Sequence, residues 1–356
     1  MQKMNAFRYL SLCLAACAAC TPGSGPLPAE EPAGRAEPVC VSLLFAGDVM
    51  QHMPQVQAAR RDDGFDYAPV FEFVRPHFDR ADLVVVNLET TLTRESRYTG
   101  YPCFRSPAAL AGALADAGVD VAVLANNHCC DGGVRGLRTT VAELSRHGIR
   151  HTGAFADPAD LRVNHPLLMK IRGMTFALLN YTYGTNGIPV PHGTCVNGID
   201  TARIRRDLET VRREPVDCVI ACMHWGNEYE RRENAEQRQL ADMLRRNGVD
   251  LVIGSHPHVV QPYAADSTGA VFYSLGNFVS NQQRRYCDGG LMARIEATKH
   301  PDGRMTYAAE AIPVWVWCPG YRIVPPEAAD TLPLSEAARR RCAQFAADTR
   351  DLLRNR

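Results

Sequence analysis

The sequence has no excess of charge of either sign, because 39 lysine and arginine residues balance 39 aspartate and glutamate residues. A balanced chain has no general attraction to a polyanion, and we therefore expect no nucleic-acid partner. Charged residues make up 22% of the chain and apolar residues 46%, which is typical of a folded globular protein. The length of 356 residues allows a large buried core.

Cysteine pairs with the spacing of a zinc ribbon are also lacking, since the only Cys-x-x-Cys pair joins Cys17 to Cys20 near the N-terminus. Their absence elsewhere argues against a zinc ribbon. The apolar stretch at residues 9–16 is too short to span a membrane as a helix. No proline- and glycine-rich linker interrupts residues 40–325, so we treat that span as one domain.

The N-terminal segment has the features of a bacterial lipoprotein signal. Lys3 and Arg8 precede the apolar stretch, and residues 14–17, Leu-Ala-Ala-Cys, resemble a lipobox. In a lipobox, cleavage precedes the cysteine, which is then diacylated. We therefore predict a signal peptide at 1–16, lipidation of Cys17 and a place at the bacterial cell envelope, facing the periplasm or the exterior.

Two alternatives stay open for this segment. One is an ordinary secretory peptide cut after residue 18 or 19, and the other is a lipobox that ends at Cys20. Residues 17–39 are rich in proline, glycine and alanine and lack periodicity, so we predict a flexible tether there. Residues 326–356 are predicted to form a C-terminal helical extension.

The middle of the chain alternates helical periodicity with short apolar runs. Apolar residues recur at helical spacing in 134–147 and 201–213, and Gly118 suits a helix end. The runs at 291–297 and 306–314 have no helix between them and are predicted to pair antiparallel. The pattern predicts an α/β fold with mixed sheets.

Five apolar runs that are typical of buried strands each end at residues able to hold a metal ion. The residues at these ends are Asp48, then Asn87 and Glu89, then Asn127 and His128, then His224, and finally His256 and His258. Ligands of open α/β sheets bind outside the carboxyl ends of the strands. We therefore predict one shared site for a divalent metal ion.

The strand ends differ in what they predict. Asp48 follows a glycine, where a carboxylate is either a metal ligand or a helix cap. Asn87 and Glu89 alternate along a strand end and face the same side, either as ligands or as partners of a loop. His256 and His258 flank a proline, and in extended backbone their imidazoles would face the same side and suit two metal ligands.

The third strand end combines possible ligands with a possible proton donor. Asn126 and Asn127 offer amide oxygens, and His128 is suited to proton transfer near neutral pH. Asp131 follows three residues later and is predicted to orient the imidazole. The alternative is a polar turn whose side chains cap the helix that follows.

Further residues are predicted to line a substrate cleft. Arg105 offers a guanidinium for a carboxylate or phosphate, unless it is an ordinary surface arginine. Tyr183 lies in a polar loop after a strand, and Glu228 follows the fourth strand end. Together with Asn87 and Asn126, these are the residues that we expect to contact substrate.

Six motifs occur in one order along the chain. They are 47–50 (Gly-Asp-Val-Met), 86–90 (Val-Asn-Leu-Glu-Thr), 125–128 (Ala-Asn-Asn-His), 224–226 (His-Trp-Gly), 254–261 (Gly-Ser-His-Pro-His-Val-Val-Gln) and 274–278 (Ser-Leu-Gly-Asn-Phe). Over about residues 40–318 the chain resembles the CapA family, the poly-γ-glutamate capsule synthesis proteins. That family is similar to calcineurin-type metallophosphoesterases, so the resemblance implies a four-layer α-β-β-α sandwich of two mixed sheets.

The resemblance also implies roles for individual residues. The implied metal ligands are Asp48, Glu89, Asn127, His224, His256 and His258. His128 matches the histidine that assists the leaving group, with Asp131 beside it. Met50 stands where the phosphoesterases have a histidine, and the Asn87/Glu89 strand end stands where they have a bridging aspartate. The resemblance therefore implies one or two divalent metal ions of unspecified identity.

Three functions are compatible with this sequence. The first is a metal-dependent hydrolase-like enzyme of capsule biosynthesis, which acts on a phosphoester or on an anionic γ-glutamyl polymer and uses His128 as proton donor. The second is a non-catalytic polymer-binding protein that serves capsule synthesis and export proteins. The third is a sugar-phosphate or nucleotide phosphatase.

Overall fold

Most apolar segments form strands in the computed structural model, which describes residues 37–354. The strands are β1 (Val39–Val49), β2 (Arg60–Arg61), β3 (Gly64–Phe65), β4 (Leu83–Leu88), β5 (Thr91–Thr93), β6 (Arg105–Pro107), β7 (Val121–Val123), β8 (Arg150–Thr152), β9 (Ala154–Phe155), β10 (Leu167–Ile171), β11 (Met174–Thr182), β12 (Cys195–Val196), β13 (Cys218–His224), β14 (Leu251–Ser255), β15 (Tyr263–Asp266), β16 (Gly269–Phe272), β17 (Asn277–Val279), β18 (Gly289–Lys299), β19 (Met305–Trp317) and β20 (Arg322–Val324). The predicted signal peptide at 1–16 and Cys17 lie outside the described residues, as does most of the predicted tether.

Helices occupy most of the connections between parallel strands. They are α1 (Met53–Ala59), α2 (Ala68–Phe71), α3 (Arg75–Phe78), α4 (Ala109–Ala117), α5 (Gly133–Arg146), α6 (Pro158–Asn164), α7 (Thr201–Val211), α8 (Ala235–Arg246), α9 (Pro326–Ala329) and α10 (Glu336–Arg354). Asp200 and Asn234 cap α7 and α8 by accepting hydrogen bonds from backbone N–H groups of the first turn. Gly118 ends α4 with a φ of 104°, as the sequence predicts.

The first large sheet has the order β20-β19-β18-β1-β4-β7-β8, and β17 also pairs with β1. β1, β4, β7 and β8 run parallel because helices connect them. β18 pairs antiparallel with both β1 and β19, which confirms the antiparallel pairing predicted for 291–297 and 306–314. The sheet is therefore mixed, with a parallel half and an antiparallel half.

The second large sheet has the order β10-β11-β13-β14-β16-β15. Its four central strands are parallel, and the antiparallel strands β10 and β15 form its edges. Cys218 and Cys222 of β13 are buried. Two-stranded ladders of β2 with β3, β5 with β6, and β9 with β12 lie outside these sheets.

The two large sheets pack face to face. Successive residues of a strand point to opposite faces. In β1, Leu43 and Phe45 lie in the core between the sheets, whereas Leu44 and Ala46 lie in the core beneath the helices. Residues of α4 and α5 contribute to that outer core, and residues of α7 and α8 pack on the outer face of the second sheet. The structure is a four-layer α-β-β-α sandwich, which confirms the predicted fold class.

The C-terminal segment packs on the same core. Phe345 and Leu352 of α10 are buried together with residues of both sheets, and α10 belongs to the same compact unit as the rest of the described chain. Among residues 37–354, no helix has the length and apolar character needed to cross a membrane.

Candidate metal centre

The predicted ligands meet at one edge of the sandwich because parallel strands of both sheets end there. Asp48 lies near the end of β1 and is in register with Asn87 of β4. In the second sheet, His224 at the end of β13 is in register with Ser255 at the end of β14. Glu89 follows β4 of the first sheet and reaches the second sheet, since its Oε1 lies 3.9 Å from His224 Nε2.

A close backbone approach fixes the position of Asp48. The register of β1 shifts next to Gly47, where a Cβ atom would lie 2.1 Å from the carbonyl oxygen of Gly276. Only glycine fits at this distance, and the Asp48 N–H donates to the same carbonyl at 2.9 Å. The segment 274–278 therefore supports Asp48 directly.

Asp48, Glu89 and His224 form a buried group able to hold a metal ion, with one ligand atom of each within 4.8 Å of the others. His258 adjoins this group, because its Nδ1 lies 3.0 Å from Asp48 Oδ2 and its Nε2 lies 3.8 Å from Glu89 Oε1. His256 adjoins it as well, with its ring centroid 4.8 Å from that of His224. We call these five residues the ligand cluster.

Two atoms of the ligand cluster have no hydrogen-bond partner. Glu89 Oε1 and His256 Nδ1 are buried, and neither is bonded to any described residue. Nearly all buried polar atoms in proteins are paired, because leaving one unpaired is unfavourable. A cation bound by Asp48, Glu89 and His224 would satisfy the Glu89 oxygen. The donor set therefore fits a divalent ion that accepts nitrogen and oxygen ligands.

The charges of the ligand cluster also favour a cation. Burial, and then the neighbouring Asp48 carboxylate, raises the pKa of Glu89 well above its usual value. Burial lowers the pKa of His224 well below its usual value, and burial lowers the pKa of His256 to about 3. These histidines are therefore neutral at pH 7 and available as ligands, while a bound cation would stabilise the adjacent carboxylates.

Asn87 binds both carboxylates of the ligand cluster, and Asn126 binds Asn87. Asn87 Nδ2 donates to Asp48 Oδ1 at 2.8 Å and to Glu89 Oε2 at 3.0 Å. Asn126 Nδ2 donates to Asn87 Oδ1 at 3.2 Å, and Asn126 Oδ1 accepts from the His128 N–H. The sequence predicts that both asparagines contact substrate, but their amides are buried and engaged within the protein. They position the ligand cluster instead.

Asn127 and Ser255 orient His224 from its two sides. Asn127 Oδ1 lies 3.0 Å from His224 Nε2, and Ser255 Oγ lies 3.0 Å from His224 Nδ1. Asn127 Nδ2 donates to Asn186 at 3.2 Å, which directs the amide oxygen towards the histidine. The structure thus brings the predicted amide ligand into contact with the ligand cluster.

His128 and Asp131 lie beside the ligand cluster and bind each other. His128 Nδ1 lies 2.7 Å from Asp131 Oδ2, and the same oxygen accepts the Phe104 N–H at 2.6 Å. The Phe104 ring packs edge-on against the imidazole, with centroids 4.6 Å apart. Because Nδ1 faces the carboxylate, Nε2 is the nitrogen left for proton transfer.

The His-Pro-His segment is not extended. His256 has a φ of 97° and His258 a φ of 57°, values that residues other than glycine rarely adopt. The expectation that an extended backbone aligns the two imidazoles is therefore wrong. A bend brings them to the ligand cluster, with ring centroids 6.0 Å apart.

Two predicted substrate residues border the ligand cluster at the surface. Tyr183 is half exposed, and its ring centroid lies 4.5 Å from that of His256 and 6.2 Å from that of His224. Glu228 is exposed, and its charge adds to the effects of burial and Asp48 on the pKa of Glu89. Both residues therefore lie at the exposed border of the ligand cluster, and their contact with substrate stays a prediction.

Three further residues near these motifs make contacts with other parts of the protein or supply no ligand atom. Arg105 pairs with Glu95 at 3.2 Å, so its guanidinium is engaged within the protein rather than directed at a substrate. Met50 is buried and supplies no nitrogen in place of a histidine. His52, two residues further on, contacts Gln55 at 3.2 Å.

Asn180 is a support that the sequence patterns did not identify. Its Oδ1 accepts the Ala125 N–H at 2.6 Å, and its Nδ2 donates to the Cys222 carbonyl at 3.0 Å. These bonds tie the first sheet to the second just behind the ligand cluster. The sequence does contain a signal for this role. Asn180 is an amide among the apolar residues of β11, and a buried amide requires hydrogen-bond partners.

The fold and the site together define a class of protein: a two-sheet α/β sandwich with a buried carboxylate and histidine group at the carboxyl ends of parallel strands. The chain belongs to the family described as bacterial capsule synthesis protein PGA_cap, whose model matches residues 42–282. The predicted family is thereby confirmed.

Curated relatives agree with this assignment. The chain is 29% identical over 270 residues to the PGA biosynthesis protein CapA of Bacillus subtilis, covering 74% of this chain and 70% of that protein. It is 27% identical over 252 residues to the capsule biosynthesis protein CapA of Bacillus anthracis, covering 68% of this chain and 60% of that protein.

Two solved structures are similar at lower identity. One is a phosphatase from Mycoplasma pneumoniae, with 14% identity, a TM-score of 0.49 and coverage of 80% of this chain and 96% of that chain. The other is the NAD nucleotidase of Haemophilus influenzae, with 13% identity, a TM-score of 0.49 and coverage of 89% of this chain and 61% of that chain.

Proposed function

We propose that the protein is a metal-dependent hydrolase-like enzyme of capsule biosynthesis that acts on an anionic polymer such as poly-γ-glutamate, or on a phosphoester. The observation that carries the proposal is the pair of buried unpaired atoms, Glu89 Oε1 and His256 Nδ1, in a cluster of ligand-type side chains. The names of the Bacillus relatives support the capsule context.

The proposed ligands are Asp48, Glu89, Asn127, His224, His256 and His258. A divalent ion bound there would supply polarisation of the scissile group and activation of water. His128 Nε2 would give a proton to the leaving atom, while Asp131 holds Nδ1 and fixes the orientation of the ring. Tyr183 would flank the substrate, because its half-exposed ring covers His256.

The test is turnover by the purified chain loaded separately with Mn²⁺, Zn²⁺ or Mg²⁺. The substrates are γ-linked glutamate polymers, followed by chain length, and a panel of sugar and nucleotide phosphoesters, followed by phosphate release. Turnover of one class, with loss in His128→Ala at unchanged metal content, supports the proposal and identifies the substrate class. Absence of turnover on both classes by metal-loaded protein contradicts the enzyme proposal.

A polymer-binding role without catalysis is the second candidate. It is favoured by Met50, which stands where the resemblance leads one to expect a histidine and which is buried and offers no nitrogen ligand. Complementation of a capsule-deficient strain separates the two roles. A binding protein should retain function in the His128→Ala variant, whereas an enzyme should lose it.

We also propose attachment to the cell envelope through a lipid on Cys17. The support is the Leu-Ala-Ala-Cys sequence at 14–17, after a short apolar stretch. Membrane fractions should contain the wild-type protein with an acylated N-terminal cysteine, and Cys17→Ser should release it. Cys20→Ser is the matched control, and acylation that depends on Cys20 instead would contradict the assignment.

A further inference from the structure

A row of contacts leads from the ligand cluster to an arginine at the surface. The Tyr229 ring centroid lies 6.2 Å from that of His258, and the Tyr229 N–H donates to the Pro257 carbonyl at 2.8 Å. The guanidinium carbon of Arg284 lies 3.6 Å from the centroid of the same tyrosine ring. Arg284 is exposed, and its position is defined by this stacking rather than by burial.

Arg284 and the neighbouring Arg285 differ in their carboxylate partners. Arg285 binds both carboxylate oxygens of Asp348, at 3.0 and 2.8 Å. Arg231 donates to the Asp348 carbonyl at 2.9 Å and stacks on Tyr286 at 3.9 Å. Among residues 37–354, no carboxylate oxygen lies within 4.0 Å of an Arg284 nitrogen, which is the limit for a salt bridge. The Arg284 side chain bonds the Tyr229 hydroxyl and the Cys287 thiol, so an oxyanion from outside would meet a guanidinium that no described carboxylate pairs.

The backbone on either side of this arginine is strained. Among the described residues, seven other than glycine have a positive φ. Four of them border this region: Tyr229, His256, His258 and Tyr286. Such conformations persist where the surrounding structure holds them, and they concentrate at binding and catalytic sites. The stacked pair of Tyr229 and Arg284 thus lies in the most constrained part of the site.

We propose that Arg284, stacked on Tyr229, binds a carboxylate of the substrate beside the ligand cluster. The inference rests on the proposed function, because a γ-linked glutamate polymer carries one free carboxylate on each residue. A guanidinium binds planar carboxylates and phosphates in the same bidentate manner. Phosphate is therefore the other source of the same oxyanion chemistry, and Arg284 takes the role that the sequence assigned to Arg105.

The test measures binding of two probes, a short γ-linked glutamate oligomer and inorganic phosphate, to the metal-loaded full chain by calorimetry. Arg284→Gln should weaken oligomer binding roughly tenfold to a hundredfold, because a charged hydrogen-bond donor is lost. Arg284→Lys should bind the oligomer more tightly than Arg284→Gln but less tightly than the wild type, since an ammonium lacks the planar fork of a guanidinium. Arg285→Gln removes the same charge one residue away and should change binding less than about threefold.

Metal content and thermal stability of Arg284→Gln should match the wild type, since the side chain is exposed. Equal oligomer binding by wild type and Arg284→Gln overturns this inference and leaves the proposed function standing. Equal losses in Arg284→Gln and Arg285→Gln overturn it too, because they show a general charge effect. A loss for phosphate alone overturns the carboxylate assignment. Wild-type protein that binds neither probe contradicts both the inference and the proposed function.

Discussion

Two polar clusters of this protein, one buried and one partly buried, contain similar side chains in different states of pairing. The second cluster lies beside β11, where His165 Nε2 is 3.0 Å from Asp207 Oδ2 and Tyr181 donates to the same oxygen at 2.8 Å. Asn197 Nδ2 lies 3.1 Å from the other nitrogen of His165, and Arg203 pairs with Asp207 at 3.6 Å. We call these five residues the edge cluster.

Glu89 of the ligand cluster and Asp207 of the edge cluster have opposite pKa shifts. Burial raises the pKa of Asp207, but bonds from His165 and Tyr181 outweigh burial, so the pKa is lowered overall. Burial and then Asp48 raise the pKa of Glu89. A carboxylate that the protein itself satisfies has a structural role, whereas one left with an unpaired oxygen beside neutral histidines is suited to an external cation.

The largest expected difference concerns the His–Asp pairs. His128 beside the ligand cluster and His165 in the edge cluster each bind an aspartate. If His128 is the proton donor, His128→Gln should lower turnover by about a hundredfold or more. His165→Gln should change turnover much less, because this histidine lies away from the ligand cluster. Steady-state kinetics on the substrate identified above measure both, and equal losses would remove the distinction.

The next largest expected difference concerns the asparagines that support the two clusters. Asn87→Ala removes the donor to Asp48 and Glu89 and should weaken metal binding roughly 10- to 100-fold, the usual effect of losing an orienting partner. Asn197→Ala removes the corresponding amide of the edge cluster and should leave metal affinity unchanged. Calorimetric titration of metal-stripped protein measures the two affinities. An unaltered affinity in Asn87→Ala would mean that the asparagine does not position the carboxylates.

Stability should change in opposite directions in the two clusters. In metal-free protein at pH 7, Glu89→Gln removes a carboxyl group whose ionised form burial and Asp48 disfavour, and should raise the free energy of unfolding by about 1 kcal/mol. Asp207→Asn weakens a satisfied network and should lower it by about 1–3 kcal/mol. Urea denaturation measures both. A loss of stability in both variants would show that the ligand cluster is structural.

The last expected effect is on the pH dependence of stability. The pKa of His256 in the folded chain is lowered to about 3, below that of the unfolded chain. Its contribution to stability is therefore present above about pH 6.5 and is lost as pH falls from 6.5 towards 3. Metal-free His256→Gln should lose less stability than wild type between pH 6.5 and 4 in denaturation experiments. The exposed His192→Gln is the control, and matching profiles for His256→Gln and wild type would contradict the assignment.

Much of the fold could be predicted because local patterns determine it. Apolar runs of the right length became β1, β4, β13 and β14, and their parallel ends brought Asp48 and His224 together. The backbone of the His-Pro-His segment could not be predicted, since its positive φ values follow from packing against the neighbouring strand ends. Sequence spacing alone suggested an extended segment.

Side-chain partners were less predictable than strand ends. Arg105 and Arg284 look alike in sequence, and only tertiary contacts show that Glu95 neutralises the first and that the second stacks on Tyr229. Asn87 and Asn126 were expected to face substrate because they lie next to ligands. Their hydrogen bonds to each other and to the carboxylates depend on the register of β1 with β4.

The central claim is that the unpaired atoms of the ligand cluster are satisfied by a divalent metal ion. The most direct measurement is the metal content of protein purified without chelator, followed by titration of stripped protein with the metal found. We expect at least one ion per chain, strongly reduced binding in Glu89→Gln and unchanged binding in Asp207→Asn. Metal-free protein without saturable binding, or equal binding by Glu89→Gln and wild type, would contradict the account.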